Sequence, residues 1–127
     1  MRNSLLLAAT IIALGGPAIA QHPAPLNVQL SNYKFTPKNI VLDHGRPYVL
    51  LLANAAGGGH DFTAREFFAA AAVSPEDRRY ISDGEVEVPP GQVREIHLTA
   101  PAAGKYSLKC THSLHKLMGM SGKIIVR

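Results

Sequence analysis

The side chains with the most distinctive chemistry lie close together near the end of the sequence. Cys110 is the only cysteine among the 127 residues, and it is followed within ten positions by His112, His115, Met118 and Met120. Thiolate, imidazole and thioether donors together suit copper, because soft sulfur favours Cu(I) and imidazole accepts both copper oxidation states. The composition of this segment therefore predicts a copper site.

The first twenty residues have the pattern of a secretory signal peptide. Arg2 precedes an apolar run over residues 5–14, and the segment ends on Ala18-Ile-Ala20. This run is too short for a membrane span. We therefore expect an exported protein, periplasmic or extracellular, whose mature chain forms a single domain over residues 21–127 and has no integral membrane segment.

Export limits the roles that the single cysteine can have. It cannot form an internal disulfide bond, so it is an intermolecular bridge, a free thiol or a metal ligand. A free thiolate is open to oxidation outside the cytoplasm. An inert core cysteine is the plain alternative, but the histidines and methionines beside Cys110 favour a metal ligand.

Most of the mature chain has the pattern of short β-strands. Strands are predicted over residues 26–30, 35–42, 48–53, 85–88, 93–99, 105–110 and 122–126. A turn at Asp43-His-Gly45 is expected to join two paired strands. An alanine-rich stretch followed by Ser74-Pro75 predicts a helical excursion around residues 62–80. Six to eight strands of this kind favour an all-β fold, a Greek-key β-sandwich.

One tight loop can supply three donors to a single ion, and a fourth must come from elsewhere. Cys110 ends a predicted strand, His115 follows five residues later, and Met120 follows five residues after that. His60 comes after Gly57-Gly-Gly59 at a strand end, where it can reach this loop. Two imidazoles and a thiolate in one plane, with a weak axial thioether, describe a blue copper site.

The order of these motifs resembles the cupredoxin family, which includes plastocyanin, pseudoazurin, azurin and rusticyanin. The shared motifs span nearly all of residues 26–127 and are Phe35-x-Pro37, Gly45, Asn54, His60-x-Phe62, Gly91, Gly104-x-Tyr106 and Cys110-x4-His115-x4-Met120-x-Gly122. The resemblance implies a cupredoxin-like sandwich that holds one copper ion and cycles it between Cu(II) and Cu(I). The gap of four residues between the cysteine and the histidine matches azurin and rusticyanin, whereas plastocyanin and pseudoazurin have two.

The resemblance also implies the ligand set. It makes His60, Cys110 and His115 the equatorial ligands, and it makes Met120 the axial ligand because Met120 precedes Ser-Gly122 as the axial methionine of the family does. Met118 is then a residue packed beside the site.

The sequence leaves two alternative roles for each of three neighbours of these ligands. His112 is either a further ligand or close neighbour of the ion, or an ordinary loop residue. Asp61 and Thr111 each directly follow a ligand. They resemble the family pair that ties the histidine strand to the cysteine loop by hydrogen bonds, and the alternative is that each is a solvated loop residue.

The function implied by the resemblance is single-electron transfer with redox partner proteins. Leu114, Leu117 and Met118 are expected to form an apolar docking patch around His115, or else to cap the core. The formal net charge is +4, and residues 101–127 contain no acidic residue. The lysines of this segment are therefore expected to steer partners with an acidic docking surface, and they are Lys105, Lys109, Lys116 and Lys123.

Other functions fit the sequence less well. An enzyme is not expected, because Lys109 and Thr111 flank the cysteine where multicopper oxidases have histidines, and no second histidine cluster is present. The main alternative is a periplasmic copper carrier, chaperone or resistance protein, for which His112 and Met118 would suit ligand exchange. A metal-free β-sandwich interaction module is a third possibility. We expect a monomer without a nucleic-acid partner.

Overall fold

The computed structural model describes Ile12 and residues 15–127, so most of the apolar run of the predicted signal peptide lies outside the described residues. The strands are β1 (Ala24–Ser31), β2 (Lys34–Thr36), β3 (Asn39–Leu42), β4 (Pro47–Asn54), β5 (His60–Thr63), β6 (Ala72–Val73), β7 (Glu85–Val88), β8 (Val93–Thr99), β9 (Gly104–Lys109) and β10 (Ser121–Val126). The helices are α1 (Arg65–Ala70), α2 (Ser113–Leu117) and a 3-10 helix (Asp77–Tyr80). None of the described helices has the length and apolarity to span a membrane.

The strands form two five-stranded sheets, and the predicted all-β sandwich is confirmed. The first sheet has the order β2-β1-β4-β8-β6, and the second has the order β3-β10-β9-β5-β7. The pairs β1·β4 and β3·β10 are parallel, and the other strand pairs are antiparallel. The second sheet matters for function, because it brings β5 beside β9 and so joins two distant parts of the sequence.

The prediction that Asp43-His-Gly45 joins two paired strands was wrong. The turn is present and Gly45 has φ +74°, but β3 and β4 lie in different sheets. β3 pairs instead with β10, where Ile40 lies opposite Ile124. The same turn residues serve a hairpin or a corner between sheets, so local turn chemistry does not identify the partner strand.

Alternating side chains from both sheets fill the core. In β4 every second residue is buried, and in β1 the buried or half-buried residues from Ala24 to Leu30 alternate with exposed ones, as the period-2 pattern predicts. The largest fully buried side chains are Phe62, Phe67, Leu30, Ile40, Leu42, Leu50, Leu52, Ile96, Leu108, Met120, Ile124 and His60. Burial of each large aliphatic or aromatic side chain stabilises the fold by roughly 1.5–3 kcal/mol. His60 is the exception in this set, since its ring is polar.

The predicted helical excursion is present within residues 62–80, as α1 and the 3-10 helix, but it begins later than predicted and a short strand interrupts it. Phe62 and Thr63 still belong to β5, α1 covers only Arg65–Ala70, and Ala72–Val73 form a short edge strand against β8. Phe62 stays in the sheet because its ring packs against the rings of Phe35 and Phe68, at centroid distances of 5.8 and 6.0 Å. Tertiary packing thus overrides the helix propensity of the alanine-rich stretch at both of its ends.

Asp77 ties the end of the excursion to β8. Its Oδ2 atom accepts hydrogen bonds from the Ser74 hydroxyl at 2.8 Å and from the His97 backbone N–H at 2.8 Å, and it lies 2.9 Å from Nδ1 of His97. Burial alone would raise the pKa of Asp77, but these hydrogen bonds outweigh burial and lower it. The ring of His97 is half exposed, whereas its neighbours Ile96 and Leu98 are buried.

We expect Asp77→Asn to lower the free energy of unfolding by about 1–2 kcal/mol near neutral pH. Because the pKa of Asp77 is lower in the folded than in the unfolded protein, its contribution is present above the ordinary aspartate range and is lost as the pH falls through the folded pKa. Urea unfolding of both proteins between about pH 6 and pH 2 measures this difference. A difference that stays constant or grows in acid would contradict the assignment.

Candidate metal centre

Three of the predicted donors converge at one end of the sandwich. The side chains of His60, Cys110 and His115 each offer a ligand atom, and these atoms lie within 4.8 Å of one another. Sγ of Cys110 lies 3.4 Å from Nδ1 of His115, and the rings of His60 and His115 have a centroid distance of 4.3 Å. Donors that are fifty residues apart in sequence are therefore close enough to share one ion.

Neighbouring strands of the second sheet position the first two donors. His60 is the first residue of β5 and lies opposite Val88 of β7, so its side chain enters the core on the same face as Phe62. Cys110 directly follows β9, which pairs with β5 through Thr63 and Lys109. Both donors are fully buried at the edge of the core.

The segment from Cys110 to Met120 is closed by its own backbone. The N–H of Cys110 donates to the carbonyl of Met120, and the N–H of Met120 donates to the carbonyl of His115, both at 3.0 Å. The sequence predicts only a tight loop here, but the segment contains the short helix α2, which carries His115. Gly119 follows this helix with φ +75°, a conformation that glycine adopts without strain.

The two candidate methionines are in opposite environments. Met120 is 1% exposed and belongs to the core cluster, whereas Met118 is 60% exposed. The carbonyl of Met120 is bound by the backbone of Cys110, so Met120 is anchored beside the buried donors. Burial therefore favours Met120 over Met118 as the fourth donor. The four side chains have the arrangement of a type 1 copper site.

His60 supplies the strongest sign that this site receives a ligand. The side chain is fully buried, and neither ring nitrogen has a hydrogen-bond partner among the described residues. Burial lowers the pKa of His60, and the nearby rings of His115 and His112 lower it further, so the ring is held in its neutral, metal-binding form. An unpartnered buried polar group costs about 1–3 kcal/mol, and a metal ion that accepts the lone pair of one ring nitrogen removes this cost for that nitrogen.

The chemistry of the Cys110 thiol also fits a bound metal ion. Burial raises the pKa of the Cys110 thiol, so the thiol stays protonated while no metal is bound. A metal ion displaces this proton, because the thiolate is the ligand form. One thiolate, two imidazoles and one thioether form a donor set that copper satisfies in both of its oxidation states.

Asp61 links the histidine strand to the cysteine segment, which is the role that the family resemblance implied, and it is not a solvated loop residue. Its buried carboxylate accepts hydrogen bonds from the backbone N–H of Thr111 at 2.9 and 3.0 Å and from the Thr111 hydroxyl at 2.7 Å. The Thr63 hydroxyl donates a further bond to the same carboxylate at 2.7 Å. These contacts fix the residues directly after His60 and Cys110 relative to each other, so the positions of both donors are coupled.

Asn54 has a positioning role that its motif alone did not assign. Its buried side-chain amide donates to the carbonyls of Gly58 and Val88, both at 2.9 Å, and its oxygen accepts from the N–H of Ala56 at 3.0 Å. These bonds fold the glycine-rich loop back onto β7 immediately before His60. The loop before His60 is therefore held in place, although its glycines suggest a flexible connection.

His112 is not one of the four predicted donors, but its ring contacts one of them. Its ring stacks on the ring of His115 at a centroid distance of 5.2 Å and an angle of 9°. Its Nε2 atom lies 3.0 Å from Oε2 of Glu87, and this hydrogen bond raises the pKa of His112. The sequence gives no sign of the contact with Glu87, because the strand that carries Glu87 is distant from the metal-donor segment.

A two-sheet β-sandwich with this donor arrangement at one end is the architecture of the small blue copper proteins. The sequence matches the family of cupredoxin-like domains over residues 4–126. The chain therefore belongs to the cupredoxin family, as its motifs predicted.

Solved structures show the same fold. The sodium-dithionite-reduced auracyanin of Roseiflexus castenholzii is 18% identical, with a TM-score of 0.60 over 84% of this chain and 99% of that chain. Auracyanin A of Chloroflexus aurantiacus, a "blue" copper protein, is 16% identical, with a TM-score of 0.60 over 84% and 100% of the two chains.

One larger protein also contains this fold. The multicopper oxidase McoA of Aquifex aeolicus is 14% identical, with a TM-score of 0.62 over 88% of this chain but only 31% of that chain. At sequence identities this low, the similarity to each solved structure shows the fold alone. No curated protein matches the chain in sequence at a significant level.

Proposed function

We propose that the protein binds one copper ion through His60, Cys110, His115 and Met120 and transfers single electrons by cycling it between Cu(II) and Cu(I). The observation that carries this proposal is the unpartnered imidazole of His60, buried beside the Cys110 thiol and the His115 ring. Copper is the group that this mixture of sulfur and nitrogen donors fits best.

Electron transfer is fast when little has to move as the charge of the metal changes. The residues around the donors supply this rigidity. Asp61 fixes the position of Thr111 and thus of Cys110, Asn54 fixes the loop before His60, and the Cys110–Met120 backbone bond closes the segment. A donor set that is held in this way imposes nearly the same geometry on both oxidation states.

The surface around His115 is suited to a redox partner. Tyr33, Leu114, Leu117 and Met118 are all exposed, and the ring of Tyr33 contacts the ring of His115 edge-on at 5.5 Å. His115 is the least buried of the four proposed ligands, so electrons have their shortest route to the surface there. Lys109 directly precedes Cys110, and its charge would favour a partner with acidic groups.

We further propose that the protein is exported and acts as a monomeric carrier without enzymatic activity. The export signal is the basic and apolar pattern of the first twenty residues. Copper delivery instead of electron transfer is the second candidate, and the observation that favours it is the position of His112 against His115. The two functions differ in whether copper stays bound through repeated oxidation and reduction.

Cyclic voltammetry of the purified mature protein loaded with one equivalent of Cu(II) separates the two functions. For an electron carrier we expect a reversible one-electron wave, and we expect the visible band to return fully after each reduction and reoxidation. The experiment is repeated with a Cu(I) chelator present. Loss of copper to the chelator within a few cycles would support copper delivery, and absence of any copper-dependent wave would contradict the proposed function.

A further inference from the structure

Three side chains beside the primary donors converge on a point of their own. Nε2 of His112 lies 3.0 Å from Oε2 of Glu87 and 3.7 Å from Oδ2 of Asp61. The three ligand atoms lie within 4.8 Å of one another. One imidazole nitrogen and two carboxylate oxygens form a donor set that suits a divalent transition-metal ion, including Cu(II). We call His112, Glu87 and Asp61 the outer cluster.

A second histidine of the protein shows why this convergence matters. His97 also has two carboxylate neighbours, but Nδ1 contacts Asp77 at 2.9 Å and Nε2 contacts Glu95 at 3.3 Å. The two ring nitrogens point in different directions, so one ion cannot bind the ring and both carboxylates together. In the outer cluster both carboxylates face the same nitrogen, and a single ion can bind all three groups.

The outer cluster carries an excess of negative charge. Asp61 and Glu87 lie directly opposite each other on the paired strands β5 and β7, where like charges destabilise a sheet. Glu85 lies on the same face, with Oε2 at 3.4 Å from the Thr111 hydroxyl. Among the described side chains, His112 is the one basic group in ion-pair contact with Asp61 or Glu87. A bound cation would relieve the remaining repulsion.

Two members of the outer cluster, His112 and Glu87, are exposed at the surface beside the primary site, whereas Asp61 is buried. His60, Cys110 and Met120 are at most 1% exposed, so a metal ion reaches them only past the residues that cover them. The side chain of His112 is 37% exposed, and its ring stacks on the ring of His115. The ring of His115 in turn lies against the ring of His60. Three imidazoles thus form a series from the surface to the interior.

We propose that the outer cluster is a capture site, at which His112, Glu87 and Asp61 bind Cu(II) from solution before His115 and Cys110 take it over. The inference rests on the proposed function, because it requires the primary site to be a copper site. The exchange replaces carboxylate and imidazole ligands by thiolate and imidazole ligands, and Cys110 releases its thiol proton to solvent. No electron is transferred, and the primary site is the more stable destination because it offers four donors, with two imidazoles and a thiolate among them, in place of three.

Stopped-flow mixing of the metal-free mature protein with Cu(II) tests this inference, with the growth of the visible band as the readout. If copper is captured first, the uptake rate of the unmodified protein rises with the Cu(II) concentration and then saturates. His112→Phe keeps a ring that can stack on His115 but removes the nitrogen donors. Glu87→Gln keeps the shape of the side chain but removes its charge.

We expect both variants to reach the same final band as the unmodified protein, since the primary donors are intact. Below saturation, we expect their uptake to be slower by about 10- to 100-fold, the usual effect of losing a supporting metal contact, and to depend linearly on the Cu(II) concentration. His97→Ala removes a histidine whose carboxylates do not converge, so it serves as the matched control and should take up copper at the unmodified rate.

The outcomes separate the inference from the proposed function. Uptake by His112→Phe and Glu87→Gln at the unmodified rate would overturn the capture site and leave the copper function standing. A rate that falls in His112→Ala but is restored in His112→Phe would also overturn it, since ring stacking alone would then explain the effect. Absence of a band in the unmodified protein would overturn both the capture site and the proposed function.

Discussion

Replacing Cys110 by serine is expected to abolish the intense visible band of the copper-loaded protein. The band of a blue copper site arises from charge transfer between thiolate sulfur and Cu(II), and Cys110 is the only cysteine of the chain. A serine hydroxyl in its place offers a harder oxygen donor that gives no such transition. Visible absorption after titration with Cu(II) measures the effect, with bound copper quantified in the same samples.

His112→Ala is the matched control for this substitution, because His112 lies two residues from Cys110 and contacts the site without belonging to the proposed ligand set. We expect its final band to match that of the unmodified protein. A band that survives in Cys110→Ser, or that disappears in His112→Ala, would show that the ligands are wrongly assigned.

Asp61→Ala is expected to produce the largest loss of stability among single changes near the site, on the order of 3 kcal/mol. The fully buried carboxylate accepts hydrogen bonds from the Thr111 backbone, the Thr111 hydroxyl and the Thr63 hydroxyl. Alanine leaves these donors without their acceptor in the protein interior. Urea unfolding of the metal-free protein at neutral pH measures the loss and avoids any contribution from metal binding.

Asp43→Ala provides the comparison for an exposed aspartate. Asp43 forms ion pairs with Arg46 at 3.7 Å and with Arg127 at 3.0 Å, and all three side chains are largely exposed. Such pairs contribute about 0–1 kcal/mol. Equal losses for Asp61→Ala and Asp43→Ala would contradict the structural role that we assign to Asp61.

The strands were predictable because they are encoded locally. Alternation of more buried and less buried residues in β1, β4 and β8 is visible in the sequence as alternating apolar residues, and the order of motifs from Phe35 to Gly122 indicated the family. Three of the proposed donors could be picked out for the same reason, since a lone cysteine followed by histidine and methionine at fixed spacing is typical of a metal site. His60 was suggested by its place at a predicted strand end, and the family motif then singled it out, because no local pattern joins it to Cys110.

The errors in the fold concern contacts between distant residues. The turn after β3 has ordinary hairpin residues, yet β3 pairs with β10, which is far away in sequence. The start of the excursion was placed too early because Phe62 precedes an alanine-rich stretch, although its ring packs against Phe35, which is distant in sequence. The helix α2 has only five residues, too few for a helical period to emerge.

The sequence pattern indicated only part of the outer cluster. The alternation Glu85-Val-Glu87-Val places two acidic residues on one face of a strand, which is a common pattern for a solvated sheet face. What the sequence did not reveal is the pairing of Glu87 with Asp61 across two strands and the position of His112 over both. The loop residue His112 therefore gained a specific role only when the sheet order was known.

The central claim is that copper binds at His60, Cys110, His115 and Met120. Crystallography of the copper-loaded protein with anomalous diffraction at the copper edge tests it most directly, because the signal locates the ion without reference to its colour. We predict one strong peak at bonding distance from Sγ of Cys110 and from a ring nitrogen of each histidine, with the Met120 sulfur on the axial side. A fully occupied peak away from Cys110 would contradict the claim.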